Sequence, residues 1–146
     1  MPILAGQIVT AAQLDRLQPT PYSAECTAAL TGTTSYQPIP GLTITLATET
    51  AGARFTASGV FDCSVTVVHA TNLMVGKLQV GGTDQSGLAI HAMDTPDRDT
   101  VAMSWSGTLA SAGTQTFTLL GVINGAGGGG QFHLHSRLEV VIYEVT

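Results

Sequence analysis

The chain has 146 residues, 44% hydrophobic and only 10% charged, with a formal charge of −5 at neutral pH. That length is one ordinary domain, able to bury roughly 68–70% of its unfolded surface without a metal or disulfide scaffold. The five basic residues are scattered (Arg16, Arg54, Lys77, Arg98, Arg137). They cannot neutralise a row of phosphates or hold an acidic bilayer, which argues against nucleic acid and membrane as partners.

Residues 1–20 read as an arm. Met1 to Val9 is short and apolar, and Thr10-Ala11-Ala12-Gln13 has the capping-box pattern. Ala11, Ala12, Leu14 and Leu17 favour a two-turn helix from about Ala11 to Gln18, stopped by Pro19 and Pro21. So short a helix is unstable alone. Its apolar side, Leu14 and Leu17, must rest either on this domain or on a partner. The N-terminus lacks a basic region, and Gln7, Gln13, Asp15 and Arg16 interrupt any signal-like apolar core. No apolar run reaches the 18 residues of a transmembrane helix. Synthesis in the cytosol is expected.

Residues 21–146 change to a period of two, the signature of strands. Tyr22 to Leu30 places Tyr22, Ala24, Cys26, Ala28 and Leu30 on one face, and Leu42 to Leu46 alternates strictly. Val60 to Val68 sets Phe61, Cys63, Val65 and Val67 against Asp62, Ser64 and Thr66. Strands are then expected at Leu73–Val80, Leu88–Met93, Thr100–Leu109 and Thr114–Ile123, separated by Gly, Pro, Asn or Asp clusters. The longest runs from Gln131 to Val145. One of its faces carries Phe132, Leu134, Leu138, Val140 and Ile142; the other carries His133, His135, Arg137, Glu139, Val141 and Tyr143. Eight or more short strands and no helical period after Gln18 predict an all-β sandwich or jelly roll.

Candidate sites are few. Gly125 to Gly130 is followed by Gln131-Phe132 and a strand, not by the Lys-Ser/Thr and helix of a phosphate loop, so a hairpin loop is expected. His133 and His135, two apart on a strand, point to one side. The ordinary reading is that they line a polar protein contact; the alternative is a metal site on a three-fold axis, where three chains would supply six imidazoles. Asp94, Asp97 and Asp99 crowd one loop, but the EF-hand spacing is missing and Arg98 offsets part of the charge, so a solvated hairpin is expected. Cys63 lies on an apolar strand face, where an inert thiol is expected rather than a nucleophile. Trp105 shares its face with Val101 and Met103, as a core residue would; a sugar-stacking platform is the other reading. No Gly-x-Ser-x-Gly turn and no defined carboxylate pair occur. Neither an enzyme nor a cofactor is expected.

Two stretches resemble known proteins. Residues 1–20, with Ala5-Gly-Gln-Ile-Val-Thr-Ala-Ala-Gln-Leu-Asp-Arg-Leu-Gln-Pro19 at their heart, resemble the N-termini of small virion proteins of actinobacterial (Streptomyces-type) tailed phages. Five further segments resemble the jelly roll of the tumour-necrosis-factor and complement-head type. They are Gly52-Ala-Arg-Phe55, Ser58-Gly-Val-Phe61, Gly76-Lys-Leu-Gln-Val-Gly-Gly82, Gly113-Thr-Gln-Thr-Phe-Thr-Leu119 and the closing strand Phe132 to Val145. This resemblance implies a homotrimer that packs the sheet holding the first and last strands around a three-fold axis. His133, His135, Arg137, Glu139, Val141 and Tyr143 would then line the trimer interface, with Arg137 and Glu139 pairing across chains. It also implies that the last strand separates Cys26 from Cys63, leaving both thiols free. Ile3, Ile8, Leu14 and Leu17 would anchor the arm to other virion proteins, such as the major capsid or tail proteins. The expected function is a non-catalytic exterior protein of a phage virion that decorates or stabilises the capsid or sits on the tail. The alternative is a receptor- or glycan-binding module at a fibre tip. No coiled-coil or collagen-like stalk precedes the domain, which favours a protein seated close to the virion surface.

Overall fold

The computed structural model describes residues 10–124 and 129–145. One helix, α1 (Ala11–Leu17), is closed by the expected box: the Gln13 N–H donates to Thr10 Oγ1 (3.3 Å) and the Thr10 N–H to Gln13 Oε1 (2.9 Å). Eleven strands follow among the described residues: β1 (Thr20–Glu25), β2 (Leu30–Thr31), β3 (Gln37–Thr48), β4 (Arg54–Val65), β5 (Leu73–Val80), β6 (Thr83–Asp84), β7 (Ala89–Ala92), β8 (Arg98–Thr108), β9 (Gly113–Asn124), β10 (Gly130–Phe132) and β11 (Arg137–Tyr143). All pairings are antiparallel.

In one sheet β4 is the spine. β8 lies along one edge; β11 then β1, and further along β10 then β2, lie along the other. The second sheet runs β3–β9–β5, with β7 and β6 sharing the far edge of β5. The eight principal strands are β1, β3, β4, β5, β7, β8, β9 and β11. The first, eighth, third and sixth of them form one sheet; the second, seventh, fourth and fifth form the other. This alternation is the jelly-roll winding. Gly81 and Gly82, both at positive φ, make the tight β5–β6 turn.

The core is built on aromatic rings seated over glycines. A Cβ on Gly76 would meet Phe61 at 2.3 Å, one on Gly121 would meet Phe132 at 2.5 Å, and one on Gly107 would meet Phe55 at 2.7 Å. The first two cross from one sheet to the other; the third lies between paired strands. The ring of Phe55 also meets Phe117 edge-on at 5.2 Å, and that of Phe61 meets Phe132 at 6.0 Å.

The strand expectations need three corrections. The run from Tyr22 breaks after Glu25, because the Cys26 N–H turns to the Ser136 carbonyl and the Thr27 N–H to the Pro40 carbonyl. The run expected at Val60–Val68 begins at Arg54 and ends at Val65; beyond it Thr66 and Val67 donate to the Gly129 carbonyl, and Val67 and Val68 are exposed. The long last strand is two strands. Residues 133–136 form a turn in which Leu134, expected on the inward face, is exposed, while Ser136 is buried.

Candidate functional site

The outward face of the β8–β4–β11–β1 sheet brings together most of the residues singled out in the closing strand. Arg137, Glu139, Val141 and Tyr143 alternate with buried Leu138, Val140 and Ile142. Beside them on β4 stand Thr56 and Ser58, and beyond these, on β8, Ser104 and Ser106. Shallow clefts run across this face between Glu139, Val141, Thr56, Ser58, Ser104 and Ser106. Its centre carries short uncharged side chains; Arg54 and Arg98 lie toward the ends. Tyr143 is 38% exposed and Val141 half-buried. Arg137 and Glu139 pair with each other inside the chain, at i and i+2, so the expected pairing across chains is not needed to satisfy them.

His133 and His135 are not placed as the alternation predicted. They lie in the 133–136 turn, outside both β10 and β11, so the strand alternation expected to aim both imidazoles to one side does not apply there. The cause is Asp62, a carboxylate only 2% exposed on the outward side of β4. Its backbone carbonyl accepts from the His133 N–H (2.8 Å), its N–H donates to Ser136 Oγ (2.9 Å), and its Oδ2 accepts from the His135 N–H (3.1 Å). Arg98 closes over it with two bonds, Nε to Oδ1 at 2.9 Å and Nη2 to Oδ2 at 2.7 Å. Arg98 Nη2 also donates to His133 Nδ1 (3.1 Å). The Arg98 guanidinium holds the Asp62 carboxyl below its ordinary value against the opposing effect of burial. In the sequence Asp62 falls on the polar face with Ser64 and Thr66, and no local signal marks it as buried.

Arg98 therefore does not offset the aspartates on either side of it. Asp97 instead meets His91 of β7, Nε2 to Oδ1 at 3.1 Å, and Asp99 lies close to both.

Cys26 and Cys63 are buried and free, with β11 running between β1 and β4 as the resemblance implied. Burial, reinforced by Asp62, Asp97 and Asp99, pushes the Cys63 thiol up to about 12, which leaves no thiolate for nucleophilic work. Trp105 is buried and donates its indole N–H to the Gly87 carbonyl (3.2 Å), so it is a core residue and not a sugar platform.

In the arm, Ile3 and Ile8 lie outside the described residues. Leu14 is 55% and Leu17 42% exposed, and no residue of α1 is buried. The helix turns Ala12, Asp15 and Arg16 toward a groove with Thr20, Tyr22 and Glu144, and Arg16 pairs with Glu49 at 2.9 Å. Among the described residues, no helix is long and apolar enough to cross a membrane.

No protein-family model and no curated protein matches the chain. Among solved structures it is similar to murine APRIL, at 12% identity over 86% of this chain and 99% of that one, with a TM-score of 0.49. It is also similar to a chain of the IBDV viral particle, at 18% identity over 88% of this chain and 36% of that one, with a TM-score of 0.49. A third is CBM35 from Cellvibrio japonicus Abf62, at 13% identity over 86% of this chain and 99% of that one, with a TM-score of 0.36. The chain spans a little over a third of the IBDV chain. The jelly roll itself is identified by the strand order described above.

Proposed function

We propose that the chain is a non-catalytic structural module of a phage virion exterior, a homotrimer closed through the outward face of the β8–β4–β11–β1 sheet. The observation that carries this reading is the face itself. A sheet side left to water is expected to be polar throughout. Here Val141 and Tyr143 stand exposed or half-buried beside short Ser and Thr side chains that let another surface approach closely. The exposed Leu14 and Leu17 support a second contact, in which α1 docks onto another virion protein such as a capsid or tail protein. The resemblance of residues 1–20 to phage virion proteins supports the same placement. A glycan-binding role loses its main aromatic with Trp105 in the core.

Solution mass is the test. Each chain weighs 15.0 kDa. The wild type is expected to run as three chains at micromolar concentration, and Val141→Asp as a folded single chain. A wild-type monomer, or a trimer unaffected in the variant, overturns this face as the interface. Labelling the protein in intact particles then separates head from tail; absence from particles overturns the virion role.

A further inference from the structure

We propose that His91, Asp97 and Asp99 form a site for one divalent cation of the zinc or manganese class, which clips the two sheets together at their open flank. The three side chains come from different places. His91 lies on β7, the edge of one sheet; Asp99 lies on β8, the edge of the other; Asp97 lies on the connection that crosses between them. Strand alternation turns both His91 and Asp99 inward. His91 shares its side with buried Ala89, and Asp99 shares its side with Val101, Met103 and buried Trp105. One ligand atom from each of the three residues lies within 4.8 Å of the others.

Two carboxylates alone would be an ordinary solvated loop. The imidazole on a facing strand makes the difference, with a side chain only 11% exposed and its Nε2 already 3.1 Å from Asp97 Oδ1. Ligands around a tetrahedral zinc ion stand about 3–3.5 Å apart. The His–Asp pair is at that spacing, and exposed Asp99, within 4.8 Å of both, needs to close by no more than about 1.5–2 Å. The backbone beneath is fixed: the Asp97 carbonyl accepts from the Val65 N–H (2.8 Å) and the Met93 carbonyl from the His69 N–H (2.7 Å). Charge is unbalanced, since Arg98 is committed to Asp62 on the opposite face and no Lys or Arg pairs with Asp97 or Asp99 among the described residues. One imidazole with two carboxylates suits a borderline transition ion; calcium and magnesium favour all-oxygen sets. Water would complete the coordination.

The test uses the full chain stripped with a chelator and titrated with zinc chloride or manganese chloride by calorimetry, with thermal unfolding in parallel. One ion per chain and a midpoint rise of about 5 °C at saturating metal are expected. Asp99→Asn, at an exposed position, is expected to keep the metal-free midpoint and weaken binding at least about tenfold. His91→Gln should do the same to binding. The double variant His133→Gln/His135→Gln should bind as the wild type does. No binding of either ion, undiminished binding in Asp99→Asn and His91→Gln, or loss in the double variant would each overturn the site.

Discussion

Asp62 shows how one polar side chain can redirect a strand. Burying a carboxylate is costly unless every oxygen is satisfied, and here Arg98 and the His135 N–H supply the partners. Asp62→Ala is expected to cost about 1–2 kcal/mol, below a fully buried pair, because the half-exposed Arg98 can return to water. Chemical denaturation would measure it. The sign with pH follows from the lowered carboxyl. Its contribution is complete above the unfolded value of about 3.9 and is lost as pH falls through the folded value. Asp62→Asn should therefore lose less stability than the wild type between pH 5 and 2, and parallel acid curves would count against the assignment. The glycines under the rings carry a different constraint. Gly76→Ala places a methyl into Phe61 and should cost about 2 kcal/mol through overpacking. A neutral result would mean that the ring is free to move aside.

The helix α1 is capped but barely packed. Its visible tether is the Arg16–Glu49 pair, exposed on both sides and so contributing at most about 1 kcal/mol. Deleting residues 1–18 should shift the thermal midpoint of the sandwich by no more than about 4 °C. A fall of about 10 °C would place α1 within the cooperative fold. Glu144, just past β11, holds the β3–β4 turn by accepting from the N–H groups of Glu49 and Thr50 (2.8 and 3.0 Å). The end of the closing strand is thus fastened by the sandwich itself, without the arm.

The two thiols test the winding of the whole molecule. Cys26 directly follows β1 and its N–H donates to the Ser136 carbonyl, and Cys63 lies on β4 opposite Phe132 of β10. The closing run of chain thus stands between them at about two strand spacings, roughly 10 Å, beyond the span of a disulfide. Two free thiols should be counted after denaturation under non-reducing conditions, and neither should react quickly in the native state. A mass lower by two protons would contradict the strand order. The trimer predicted from the outward face is the other property of the whole molecule, and Val141→Asp probes it without touching the core.

Alternation along the chain was enough to establish a β-sandwich and the inward side of β3, and the Thr10-to-Gln13 spacing the helix at Ala11 with its capping box. These depend on i to i+2 and i to i+3 relations that a sequence displays directly. The resemblance supplied the jelly-roll winding. Tertiary structure decided what depends on partners far apart in the chain. Asp62 and residues 133–136 are some 70 positions apart, so nothing local announced that the last strand would break there and leave His133 and His135 in a turn. Arg98 sits between two aspartates in sequence and was read as offsetting them, yet strand alternation sends its guanidinium to the opposite face. Only the approach of two unpaired sheet edges, β7 and β8, brings His91 to Asp99. The helix could bury its leucines on either of two surfaces, and the fold left them bare because Arg16, not Leu14 or Leu17, faces the sandwich.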